Sequence, residues 1–95
     1  MLEKTIVKKI RDYLKTVPEC YAWKTHGGQY SQAGIPDIIC CIKGRFVAFE
    51  VKTPDGKPTV LQEQTIRKLR AAGGIAEIVR SVDDVKTMLI EANLI

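Results

Sequence analysis

The stretch GIPDIICCIKGRFVAFEVK, residues 34–52, decides how this chain is read. It holds two runs rich in β-branched and aromatic residues, split by Lys43-Gly44. The runs predict strands over 37–43 and 45–52, and the two residues between them predict a tight antiparallel hairpin. With that turn, Ile42 faces Arg45 and Asp37 faces Glu50 across the ladder. Directly opposed residues carry their Cβ atoms about 4.5–5.5 Å apart, and like charges so placed are destabilising. Alternation along the strand puts Lys52 on the face of Glu50. The pairing rests on turn length, since a turn one residue longer would shift the register and separate the acids.

A hard divalent cation answers the destabilisation. Mg²⁺ is held by one or two carboxylates plus waters and is often shared with substrate phosphates. Such an ion polarises a phosphoryl oxygen and lowers the pKa of a coordinated water. A lysine beside it can orient or deprotonate that water, or offset charge developing on the phosphate. The other reading is an ion pair of Lys52 with Asp37 or Glu50 at the strand edge. A D…ExK pattern is short and common, but an ion pair leaves unexplained why acids interrupt two apolar strands.

Working outward from the hairpin, residues 2–16 predict a helix, with Leu2, Ile6, Ile10, Tyr13 and Leu14 at helical spacing and Lys8, Lys9, Arg11 and Asp12 opposite. Pro18 ends it, because a proline disfavours helix at the preceding residue. CYAWK, 20–24, reads as a strand, and THGGQYSQAG, 25–34, as a polar loop with three glycines. TPDGKP, 53–58, is a turn-rich loop. Thr59 then predicts an N-cap for a helix over 60–72, stopped by Gly73-Gly74. IAEIVR, 75–80, alternates as a strand, and Ser81 caps a last helix over 82–92. The order is α-β-β-β-α-β-α.

At 95 residues, 45% hydrophobic and 27% charged, the chain has the balance of one globular domain, 1–95. A core of this size is modest, so dimerisation would help it. The apolar run near IICCI is far too short to cross a bilayer, and the charges scattered through MLEKTIVKKIRDYL lead us to expect no signal peptide there. No membrane association is expected. The three cysteines fit neither a disulfide framework nor a CxxC-type zinc site. They read as reduced, buried, small apolar residues, which predicts a cytoplasmic protein. Cys40 and Cys41, adjacent in a strand, should point to opposite faces. The net charge of +4 suits an acidic partner such as nucleic acid, and equally suits solvated lysines.

The motifs Gly34-Ile35-Pro36-Asp37 and Glu50-Val51-Lys52, in this element order, resemble the PD-(D/E)XK nuclease superfamily. The VRR-NUC branch is the nearer likeness, with Glu3 in the first helix, Gln62 in PTVLQEQTIRKLRAAGG and the later IVRSVDDV. The resemblance runs over nearly the whole chain. It implies an α/β, restriction-endonuclease-like αβββαβ core with a small mixed sheet flanked by helices. It also implies a DNA endonuclease using Mg²⁺, with Mn²⁺ able to substitute. Asp37 and Glu50 would ligate the metal with the Val51 carbonyl, Lys52 would be the catalytic lysine, and Glu3 would reach the metal or its water. Glu3 can instead be a first-turn acid favoured by the helix dipole, an effect of about 0.3–1 kcal/mol. Gln62 would act at the metal-bound water or a phosphate, or would close a capping box with Thr59. Small members of this branch resemble dimeric junction-cleaving nucleases, which implies a homodimer acting on branched DNA.

Lys24, His26, Gln29, Tyr30 and Gln32 border or lie in the loop entering the Asp37 strand, where a Gly-rich segment can approach phosphates. Lys57, Arg67, Lys68 and Arg70 offer a second phosphate stripe, or simply solvated faces. Tyr21 and Trp23 can stack bases, but their strand position makes core packing the assignment. The chain has no room for a separate DNA-reading module, so backbone and shape recognition would dominate. The rival function is a nucleic-acid-binding module that keeps the nuclease-like fold without cutting; intact Asp37, Glu50 and Lys52 speak against it.

Overall fold

A computed structural model describes residues 1–25 and 33–95. The elements are α1 (Glu3–Leu14), β1 (Cys20–Lys24), β2 (Ile38–Ile42), β3 (Arg45–Val51), α2 (Val60–Ala71), β4 (Ile75–Val79) and α3 (Val82–Glu91). The strands form one sheet in the order β1-β2-β3-β4. β1 and β3 each run antiparallel to β2, and β4 lies parallel to β3. The sheet is therefore mixed, as expected, and the crossover to its parallel strand is the helix α2.

The hairpin register is the one the turn predicts, with Ile42 opposite Arg45 and Ile38 opposite Phe49. Lys43 and Gly44 both have positive φ, 51° and 78°, as a type I′ turn requires. The strand bounds are narrower than the sequence suggests. Asp37 precedes β2 and Lys52 follows β3, so both stand at the sheet's end rather than inside it.

Each face of the sheet has its own core. On one side Ile38, Cys40, Ile42, Val47, Phe49 and Val51 pack with Ile6, Val7, Ile10 and Leu14 of α1 and Val85, Met88 and Leu89 of α3. On the other, Ile39, Ala48 and Ala76 pack under Ile66 of α2. The buried stripe of α1 is the one its helical spacing predicts, except that Leu2 is exposed. Among the described residues, the cover on the α2 side lies over β3, β4 and Ile39 of β2.

Two expectations are overturned here. Tyr21 and Trp23 do not pack in the core; they are 74% and 44% exposed. They share the α2 side of β1, beyond the reach of that helix. The cysteines are not uniformly buried either. Cys40 points into the α1–α3 core, and burial pushes its thiol up to about 12. Cys41, on the opposite face as alternation demands, is exposed, and Cys20 is half-buried.

Candidate metal centre

The candidate site lies where β1, β3 and β4 end and β2 begins. On the α2 face the register lays out three cross-strand rows: Tyr21, Cys41 and Phe46; Trp23, Ile39 and Ala48; and, at the end, Thr25, Asp37 and Glu50. Continuing the hairpin ladder past Ile38 and Phe49 sets Asp37 against Glu50. Alternation adds Lys52 to their face, and the Lys52 N–H donates to the Val79 carbonyl (3.0 Å), so its backbone is fixed by β4.

Glu3, Asp37 and Glu50 each present a carboxylate oxygen within 4.8 Å of the other two. Glu3 is the first residue of α1, which packs on the opposite face, so its carboxylate comes in past the end of the sheet. Asp37 is held from several sides. Its Oδ2 accepts from the Val51 N–H (2.8 Å). Its carbonyl accepts from the Thr25 N–H (2.9 Å), while the Thr25 hydroxyl donates to the Pro36 carbonyl (2.8 Å). Gly34 makes the approach possible. Its φ is 85°, and a Cβ there would stand 2.8 Å from Leu61 Cγ and 2.9 Å from Thr65 Oγ1 of α2. A left-handed backbone and lack of space both call for glycine at this position.

Glu50 is 2% exposed, and its Oε1 is buried without a hydrogen-bond partner. Burial raises its pKa to about 9, with the Asp37 hydrogen bond and charge adding to the rise, Lys52 opposing it and Glu3 contributing least. A buried carboxyl that keeps its proton is costly to ionise unless a cation is supplied. Three convergent carboxylates, one with an orphaned oxygen, form an all-oxygen donor set suited to a hard divalent cation and unsuited to a soft one.

The sequence-predicted residues separate into groups. Glu3, Asp37, Glu50, Val51 and Lys52 come together at this end of the sheet. Gln62 closes the capping box: its Oε1 accepts from the Thr59 N–H (2.9 Å), and its own N–H donates to Thr59 Oγ1 (3.1 Å). Lys24 and Lys57 are exposed, the first at the end of β1 and the second in the β3–α2 loop. His26, Gln29, Tyr30 and Gln32 lie outside the described residues. Arg70 is not free to serve a phosphate stripe. It pairs with Glu77 (2.7 Å), and its Nε donates to the Ala76 carbonyl (2.8 Å). Two positioning residues escaped the sequence reading. Thr25 fixes the backbone of Pro36-Asp37, and Arg80 Nη1 donates to the Thr53 and Gly56 carbonyls (2.7 and 2.6 Å), bracing the turn after Lys52. Neither signal was local in sequence, since the partners lie 11 to 27 residues away.

Comparison with known proteins bears on the whole arrangement. Two solved structures, a "VRR_NUC domain" and a "VRR_NUC domain protein", share the fold. The first has a TM-score of 0.76 at 23% identity, covering 94% of both chains. The second has a TM-score of 0.77 at 19% identity, covering 94% of this chain and 85% of the other. A search of curated proteins finds no match. The family model described as "Archaeal holliday junction resolvase (hjc)" matches residues 23–95, which take in the hairpin, both its acids and Lys52. On that match the chain belongs to the archaeal Holliday junction resolvase family, a nuclease family, and carries it on the fold of a VRR-NUC domain.

Proposed function

We propose that the protein is a Mg²⁺-dependent DNA endonuclease, with Mn²⁺ able to substitute, that cuts branched DNA such as four-way junctions by structure rather than by sequence. One observation carries the reading: the fully buried Glu50, with an oxygen left unpartnered, sits in carboxylate contact range of Asp37 and Glu3. Asp37 and Glu50 would hold the cation, with the Val51 carbonyl and with Glu3 directly or through water. When bound, the ion supplies charge neutralisation at the phosphate and an acidified water.

The rest of the chemistry falls to the chain. Lys52, on the same face as both acids and fixed through its N–H, places an ammonium where negative charge grows as the phosphodiester is attacked. Asp37 is pre-oriented by the Val51 N–H, so little reorganisation is needed to ligate. Lys24 and Lys57, with the polar segment carrying His26, Gln29, Tyr30 and Gln32, are assigned to the DNA backbone. Gln62 serves α2 as its cap, and its side-chain NH₂ remains available toward a phosphate or water. No helix of the described residues is long and apolar enough to cross a membrane. A homodimer suits the reading, because two metal centres related by a two-fold match the two strands cut in a four-way junction.

The test is incubation with four-way, flap and linear DNA of equal length in Mg²⁺, Mn²⁺ or EDTA. Metal-dependent scission favouring branched forms is expected. Binding without scission in any metal would leave a nucleic-acid-binding module instead.

A further inference from the structure

The loop that leaves β3 is strapped to the end of β4. The Lys52 N–H donates to the Val79 carbonyl (3.0 Å). One residue further on, Arg80 Nη1 donates to the Thr53 carbonyl (2.7 Å) and to the Gly56 carbonyl (2.6 Å). Between those carbonyls the chain turns back on itself, with the Gly56 N–H donating to the Thr53 carbonyl (3.0 Å). Pro54 and Gly56 take the second and last places of this turn, where a preset φ and a glycine are favoured. A Cβ at Gly56 would stand 2.9 Å from Thr53 Oγ1, so the turn is tight. Arg80 is itself anchored, its N–H donating to Asp84 Oδ2 (2.9 Å) in the first turn of α3.

A lysine stands at each end of the strapped turn. Lys52, half-buried, precedes it on the face of the acids, and Lys57, exposed, follows it. The Gly56 carbonyl lies in the same planar peptide unit as the Lys57 N–H. Holding that carbonyl therefore orients the backbone from which Lys57 springs. Pro58 restricts Lys57 from the other side, since the residue before a proline is pushed to extended backbone.

We propose that Arg80 is a positioning residue that holds Lys57 at a set place relative to Lys52, so that one DNA phosphate is gripped in register with the one being cut. Arg80 acts through the turn and not by touching DNA with Nη1, because both hydrogens of that nitrogen are committed to carbonyls. The consequence for cutting rests on the nuclease reading; the effect on Lys57 needs DNA binding alone.

The experiment is a double-mutant cycle on the full chain. Binding of a four-way junction is measured against salt in Ca²⁺, to suppress cutting, for wild type, Arg80→Met, Lys57→Met and the double variant. Each neutralised phosphate contributes about 0.9 to the slope of log K against log salt. Lys57→Met is expected to lower the slope by about 0.9, Arg80→Met by nearly as much, and the double variant by no more than either. A merely structural arginine would weaken binding without making Lys57 silent. Arg80→Lys keeps the charge on a shorter stem, so the part of the slope loss expected in it comes from the displaced turn. It carries the cycle if Arg80→Met fails to fold. Slope losses that add in the double variant would make Arg80 an independent phosphate contact and overturn the proposal. So would a Lys57→Met or an Arg80→Met protein that binds as wild type does. Cleavage in Mg²⁺ is followed separately: a wild type that never cuts defeats the nuclease reading, while the binding cycle still decides the role of Arg80.

Discussion

The β2–β3 hairpin has two ends built to opposite demands. At the turn, Lys43 and Gly44 take the left-handed backbone a type I′ turn needs, and Ile42 and Val47 just behind it are fully buried among α1 and α3. Backbone, side chains and register agree there. At the open end, the same register forces Asp37 against Glu50 and leaves a buried carboxyl oxygen with no partner. The fold tolerates this because the rigid turn and the core rows beyond it fix the pairing. Stability is concentrated at one end, and a crowded cluster of acids with an unpartnered oxygen is held at the other.

Substitutions at the open end should therefore damage activity while sparing the fold. Asp37→Asn and Glu50→Gln are each expected to lower single-turnover DNA cleavage by about 10²–10³-fold or more, the scale on which removal of a charge-stabilising group acts. Circular dichroism should remain that of wild type. Cleavage near the wild-type rate by either variant would remove that acid from the site.

At the turn end the pattern inverts. Ile42→Ala should cost about 2–5 kcal/mol by denaturant unfolding, the range for truncating a buried aliphatic side chain. Its activity, measured well below the new melting temperature, should stay within a few-fold of wild type. A collapse of activity in a folded Ile42→Ala protein would mean that the two ends are not separable.

Lys52→Met sharpens the division inside the site. Cleavage against Mg²⁺ concentration should fall to a lower plateau without moving along the metal axis, because the ammonium matters most as charge develops. A curve that shifts to higher Mg²⁺ and reaches the wild-type plateau would make Lys52 only a partner of the acids.

Much of this was legible in the sequence, and the reasons are physical. A two-residue Lys-Gly turn sets the register of a short hairpin, so the opposition of Asp37 and Glu50 followed from counting. Helical spacing identified the buried face of α1, and Thr59-x-x-Gln62 announced a capping box that indeed forms. The exposure of Tyr21 and Trp23 was not legible. Strand alternation says which residues share a face, but whether a helix covers that face depends on where α2 crosses the sheet. Thr25 and Arg80 escaped for a similar reason, since each acts on backbone carbonyls far along the chain.

A further effect concerns pH. In the metal-free protein the folded state raises the Glu50 pKa to about 9. Between the ordinary carboxylate range and that value, the folded chain holds a proton the unfolded chain has released. Stability from this group is thus fully present at low pH and lost as pH rises toward 9. Metal-free melting temperature should decline over that window, and Glu50→Gln should remove this component of the decline. An unchanged slope in the variant would place the dependence elsewhere.

The claim that the open end is a metal centre, and not an ion-paired strand edge, is tested most directly by thermal unfolding of wild type and Glu50→Gln at neutral pH, with EDTA or with saturating Mn²⁺. A ligand at 100 times its Kd adds about 2.7 kcal/mol, which for a domain of this size is a rise on the order of 10 °C. The account predicts that rise for wild type, little or none for Glu50→Gln, and a metal-free Glu50→Gln at least as stable as wild type. A wild type indifferent to Mn²⁺, together with a Glu50→Gln variant clearly less stable in EDTA, would contradict it.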